Sequence, residues 1–326
     1  MSKQLNVTDA PAYFTKTFTS SFLLQEITTG ETRENGKPYY RVRLQDATGS
    51  IFGTIWQEYM SDSHTQMQGQ VVDVKSIVSK NEDGNYHLVI RDMKPCQEYI
   101  MSDYINGLME EESIRYLDLL CRFVDSIKNE PLKGLVKNIF RHIDDFDKYP
   151  ASINGHHAFS GGLLVYTVSV TCLAKYMQKS LSSYNINPDP SPPYDTDLLT
   201  AAALLHAVGT VHMLTPSPNM KRIPGSIPLS LHEHTIRHIQ RDVGRMEGEV
   251  PEEDVLSLLF HVIGCVYEDE ARKPVVREAL ILKSAVVLHN KITLLEHFME
   301  KNKDRTGIVF DDILGNYIYL QEEESQ

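Results

Sequence analysis

The chain has 326 residues, 41% of them hydrophobic and 23% charged, and 44 acidic against 32 basic residues give it a formal net charge of -12. That length allows two domains with separate cores, while the acidic balance excludes a protein that coats nucleic acid indiscriminately by neutralising phosphates; a local basic face is still compatible with it. No apolar run approaches the roughly 20 residues of a membrane span, and Met1-Ser2-Lys3-Gln4-Leu5-Asn6 lacks the apolar centre of a signal peptide, so no membrane association and a cytoplasmic location are expected.

Residues from about 17 to 95 read as short strands with turn punctuation. Phe22-Leu23-Leu24 opens one strand, and Pro38 to Gln45, Ile51 to Trp56, Val71 to Val78 and Tyr86 to Ile90 give four more. Glu34-Asn35-Gly36-Lys37, Ala47-Thr48-Gly49-Ser50 and Asn81 to Asn85 are the turns between them. Five strands in so short a span predict a small closed barrel, of which the OB-fold is the commonest. Side chains alternate across a strand, so Val42 and Leu44 inward send Tyr39, Arg41 and Arg43 outward. Ile51, Gly53 and Ile55 inward likewise leave Phe52, Thr54 and Trp56 outside. Arginines beside exposed aromatics form a stacking platform with phosphate partners, which single-stranded RNA or DNA requires. The competing reading is that Phe52 and Trp56, the only tryptophan, pack under a following domain.

From Cys96 to Glu112 the composition turns polar and acidic, and from Ser113 the periodicity is helical. Ile114, Leu117, Leu120, Cys121 and Val124 define a first helix, and Leu132 to His142 a second after Pro131. Asn185 to Thr196, with prolines at 188, 190, 192 and 193, reads as a surface excursion. Leu198 to Leu205 is apolar on every face and should be a buried helix, with Gly209 letting the chain turn out after His206. Thr215 to Leu229 is irregular, and helices resume at about 231–246, 252–263 and 275–301. The expected boundaries are a barrel over 1–97, a linker over 98–112, a helical domain over 113–320 and a frayed acidic tail over 321–326. Cys96, Cys121, Cys172 and Cys265 are widely spaced without a CxxC, so reduced and mostly buried thiols are expected.

Taken together these residues resemble the YhaM-type 3'-5' exoribonucleases, which join an N-terminal OB-fold to a C-terminal all-α HD phosphohydrolase domain. The resemblance spans almost the full chain. It is carried by Asn35-Gly36-Lys37-Pro38, Leu44-Gln45-Asp46-Ala47-Thr48-Gly49, Tyr149-Pro150-Ala151, His156 to Leu164, Leu204-Leu205-His206 and Arg277-Glu278-Ala279. It implies a cage of histidines and aspartates around divalent metal, whose bound water attacks a phosphodiester. Matched residue by residue, that cage is degenerate. Tyr166 and Ser230 stand where histidines belong, Ala207 replaces the aspartate after His206, Val262-Ile263 replaces a histidine pair, and Val286 replaces the last aspartate, with His289 one turn further along. His206 alone is retained.

The resemblance with its losses points to a pseudoenzyme: a catalytically inactive HD relative, no cofactor, and binding of single-stranded nucleic acid through the barrel. The helical domain would then serve as a scaffold or an oligomerisation body, as a homo-oligomer or in a protein complex. Two alternatives stay open: an active metal-dependent exonuclease or phosphodiesterase with unusual ligands, and a protein-interaction subunit. A relocated metal site would draw on His206, His232, His234, His238 and His261, with His212 and His289 as further candidates, since His234 and His238 stand four apart on one helix face. His156 and His157 could touch a phosphate or cap the helix that follows.

Overall fold

The computed structural model describes residues 5–32, 36–81, 84–100, 103–153, 155–183, 194–267, 273–303, 305–312 and 314–321. Most of the Asn185 excursion, parts of the two asparagine-containing turns and the acidic tail beyond Gln321 lie outside the described residues. The chain divides into a compact unit over Met1–Met109 and a second one beginning at Glu110.

The first unit is an OB-fold. Its strands are β1 (Thr17–Glu31), β2 (Pro38–Asp46), β3 (Gly49–Trp56), β4 (Val71–Lys80) and β5 (Tyr86–Pro95), closed in the order β1-β2-β3-β5-β4. β1 is 15 residues long and serves both neighbours, pairing Thr17 to Leu23 with β4 and Leu23 to Glu31 with β2. A register shift between Leu24 and Glu26 provides the bend that closure needs. Phe22, Leu24, Val42, Leu44, Ile55, Val74, Leu88 and Ile90 fill the interior. Gly53 is placed by packing: a Cβ there would meet the Ile90 side chain at 2.7 Å, because β3 crosses the barrel against β5. At the end of β2 the buried Asp46 carboxylate accepts from the backbone N–H of Val7, Thr48 and Gly49, which pins the β2–β3 turn to the N-terminal segment.

The second unit is an HD-like helical bundle of α1 (Glu110–Asp125), α2 (Glu130–Arg141), α3 (Gly162–Ser183), α4 (Thr196–Leu205), α5 (Leu231–Val243), α6 (Glu253–Tyr267) and α7 (Arg277–Lys301). α4 is the centre: every residue from Leu198 to Leu205 is buried. Asp195 caps its start by accepting from the Leu198 N–H. Three features depart from expectation. Gly209 is not a positive-φ turn residue; it packs against α5, where a Cβ would strike the Thr235 N at 2.4 Å. The bundle also ends in a hairpin, β6 (Gly307–Asp311) and β7 (Asn316–Leu320), inside a span expected to be all helical. The cysteines are free but not mostly buried: Cys121 and Cys172 lie exposed on outer helix faces, Cys96 is intermediate and only Cys265 is interior. Among the described residues no helix is long and apolar enough to cross a membrane.

Candidate functional site

The barrel presents its outward residues as the alternation requires. Arg41, Arg43, Phe52 and Trp56 are exposed and Tyr39 half-buried, while Val42, Leu44, Ile51 and Ile55 are interior. Pairing of β2 with β3 sets Tyr39 opposite Trp56 and Arg43 opposite Phe52. The Tyr39 and Trp56 rings are 5.6 Å apart, and the Arg41 guanidinium lies 4.7 Å above the Phe52 ring. Tyr39, Arg41, Phe52 and Trp56 line one groove of about 1400 Å³, whose far side carries Lys80 and Tyr86. Lys80 sits 4.8 Å from the Tyr86 ring and 5.7 Å from that of Phe14. Arg43 stays outside the groove lining, with its guanidinium donating to Ser50 Oγ at 3.3 Å. The sequence pattern did not mark Lys80 and Tyr86, because they reach the groove from the β4–β5 side rather than by alternation on β2 and β3.

In the helical unit, four histidines surround Tyr166. The ring centroid of Tyr166 is 4.6 Å from His156, 5.6 Å from His157, 5.0 Å from His206 and 5.7 Å from His289. His157 stacks on His289 at 5.2 Å. Each element supplies its part for a local reason. His157 holds a left-handed backbone (φ 52°) so that the loop can pass under α3, where a Cβ on Gly162 would meet the His157 carbonyl at 2.1 Å. His206 follows the last residue of α4, and its Nδ1–H donates to the Ala203 carbonyl at 2.7 Å. That bond fixes the tautomer and leaves Nε2, fully buried, as a lone pair without a partner.

Burial governs the protonation of this cluster. Together with a smaller contribution from neighbouring imidazoles, it lowers His156 to about 4, His157 to about 3 and His206 to about 4. His289 is lowered for the same reason. Burial also raises Tyr166 to about 12, so the phenol keeps its proton. At neutral pH the cluster therefore offers lone pairs and phenolic O–H groups but no net charge. His156 and His157 are accordingly neutral neighbours of Tyr166 rather than exposed cations.

The remaining positions at which the resemblance expects metal ligands are occupied by packing or capping side chains. Ala207, Val262, Ile263 and Val286 are all buried apolar side chains. Ser230 is the N-cap of α5, where it forms a capping box with Glu233.

The relocated metal set does not assemble. His206 belongs to the Tyr166 cluster, whereas His212, His234 and His238 gather elsewhere, with His212 Nε2 at 2.7 Å from His238 Nδ1. His261 accepts the Val275 N–H and lies against Cys265, one helical turn along α6. His232 is buried at the start of α5. Sequence reasoning missed the carboxylate that joins the second group. Asp242, 1% exposed, accepts a hydrogen bond from His142 and lies 3.3 Å from His238 Nε2.

Among known proteins, the chain is 27% identical over 295 residues to the 3'-5' exoribonuclease YhaM of Bacillus subtilis (strain 168), an alignment covering 86% of this chain and 88% of that protein. The similarity extends over most of both chains and agrees with the resemblance to the YhaM-type exoribonucleases. No family model matches the chain. Solved structures with partial likeness include the second OB-fold domain of replication protein A from Methanococcus maripaludis (16% identity, 29% of this chain, 99% of that one, TM-score 0.22). Another is asparaginyl-tRNA synthetase from Pyrococcus horikoshii (8% identity, 76% of this chain, 62% of that one, TM-score 0.24).

This similarity corrects one expectation. The substituted ligand positions predict a chain without a cofactor, but the relationship to YhaM, extending over most of both proteins, points to a divalent metal. The error was to read substitution at individual positions as loss of the cofactor itself. Tested against the side chains, the metal fits in kind and not in arrangement. His206 Nε2 is a buried, preset imidazole donor of the type that divalent metals take. Yet Tyr166 stands between the histidines, and among the described residues no three His, Cys, Asp or Glu side chains are placed to hold a metal ion.

Proposed function

We propose that the protein binds single-stranded nucleic acid in the barrel groove, with the helical unit serving as scaffold and oligomerisation body. The observation that carries this reading is the interleaving of cations and flat rings: Arg41 over Phe52, Tyr39 beside Trp56, and Lys80 over Tyr86. A single strand alternates phosphates with base faces and so meets both kinds of partner at once. A duplex hides its base faces and would find only the cations. Because the cations sit in one groove, the reading does not require the chain as a whole to be basic.

A second reading, hydrolysis of the strand from its 3' end with a divalent metal, is supported by the YhaM relationship and by the buried, unpartnered Nε2 of His206. One experiment separates the two. A labelled oligonucleotide is titrated as single strand and as duplex, and is then incubated with manganese or magnesium and with a chelator. Tighter binding of the single strand is expected, and equal affinity for the duplex refutes the groove. Progressive shortening from the 3' end, abolished by chelator and by His206→Ala, establishes the hydrolytic reading.

A further inference from the structure

The C-terminal hairpin is a sheet of two strands with one face uncovered. Its register pairs Ile308 with Tyr319 and Phe310 with Tyr317, so these four side chains share a face. They are 71%, 66%, 48% and 68% exposed respectively, and the Phe310 and Tyr317 rings meet edge-on at 5.0 Å. The opposite face carries the half-buried pair Val309 and Ile318. A two-stranded hairpin alone in water is marginal and gains its order from a covering layer. No described residue covers the Ile-Phe-Tyr-Tyr face.

The helix that leads into the hairpin repeats the pattern. α7 buries Glu278, Ala279, Ile281, Leu282, Ala285 and Val286 in its first half and nothing in its second. Val287, Leu288, Ile292 and Met299 are left between 42% and 46% exposed.

We propose that this C-terminal face is the contact between two copies of the chain, packed isologously with the hairpin of one copy against that of the other. Three observations favour a second copy over other occupants. From Gly307 to Leu320 the sequence contains no Lys, Arg or His, so the hairpin itself offers a stacking nucleic acid no phosphate partner. The face itself carries no charge, so two copies can meet there without opposing like charges, although each chain carries -12. The area is also sufficient. At the observed exposures, and with about 150–250 Å² for a large side chain, the four hairpin residues leave on the order of 500 Å² in water. Two copies meeting there would bury on the order of 1000 Å², the size at which a specific interface begins. An exposed apolar patch of roughly 500 Å² lies toward the upper end of what a monomer leaves open and is often functional.

This makes specific the oligomerisation role proposed above, and its readout is a mass measured without nucleic acid, so the two proposals fail separately. The test compares the full chain with Phe310→Asp/Tyr319→Asp by light scattering after gel filtration at micromolar concentration. Expected are a particle of at least twice the 37.1 kDa of one chain and a halving of that mass in the variant. Tyr317→Arg is a second variant with the same expected halving, and an unchanged far-UV circular dichroism spectrum in each shows that the fold survives. A monomeric parent overturns the proposal, as does a variant that folds and keeps the parent mass. A monomeric parent whose oligonucleotide affinity falls in the hairpin variants would assign the face to nucleic acid instead.

Discussion

Removing one ring from the barrel groove gives the sharpest check on the binding reading. Trp56 lies at the end of β3, 37% exposed, and its nearest aromatic neighbour is Tyr39 rather than any core residue. Trp56→Ala therefore takes away a stacking surface while leaving the barrel interior intact, and stability should change by no more than about 0.5 kcal/mol. A base stacked on an aromatic ring contributes about 1–3 kcal/mol, so Kd should rise by roughly 5- to 150-fold. Arg41→Ala should act differently. It removes a phosphate partner, so the slope of log affinity against log salt should flatten by about 0.7 for a single strand. Arg41 also covers Phe52 at 4.7 Å, so Arg41→Ala and Phe52→Ala should be non-additive in a double-mutant cycle. The assay is built into the chain, since Trp56 is its only tryptophan and a base stacked on it quenches its fluorescence. Fluorescence anisotropy of a labelled strand between 50 and 200 mM salt supplies the affinities. An unquenched Trp56, together with unchanged affinity and salt slope in both variants, would refute the assignment.

Two further outcomes test the helical unit. Because His156, His157 and His206 titrate far below the ordinary 6.5 when folded, the unfolded chain takes up protons first. Stability should thus be complete above about pH 6.5 and decline as pH falls toward 4, with His206 alone contributing on the order of 3 kcal/mol. Urea unfolding with chelator present measures it, and a midpoint that does not move between pH 7 and 5 would contradict the burial of these imidazoles. Gly209→Ala drives a methyl group into the Thr235 backbone N at 2.4 Å and the Leu231 carbonyl at 2.8 Å. It should cost about 1–3 kcal/mol by overpacking, seen as a lower melting temperature, and a melting point equal to the parent's would show that α5 can move aside.

The barrel was legible because each of its rules is local. Alternation along Tyr39 to Leu44 and Ile51 to Trp56 fixes which side chains face out, and turn residues fix where strands stop; neither depends on distant parts of the chain. Lys80 and Tyr86 escaped the same reasoning. They enter the groove because β5 runs parallel beside β3, a pairing that only closure of the sheet decides. α3 went unread for a related reason. Buried residues occur on most faces of its first half, Leu164, Tyr166 and Val168 as well as Leu163, so no narrow stripe marks it as a helix.

The helical cluster shows what a position-by-position comparison overlooks. Asking whether each expected ligand was present left His206 by itself, and the imidazoles at 156, 157 and 289 were weighed separately for other roles. The fold brings all four to one aromatic side chain, Tyr166, which stands at one of the substituted positions. Tyr166 thus places a ring among neighbours that pack against it, while burial keeps its phenol protonated. His289, one turn beyond Val286, is within reach because α7 runs beside α3, as its approach to Tyr166 shows. Histidines near but not at the positions where the resemblance expects ligands are therefore the feature of the sequence that carries the information. Their convergence depends on the crossing of α3, α4 and α7, and no periodicity within one helix encodes that crossing.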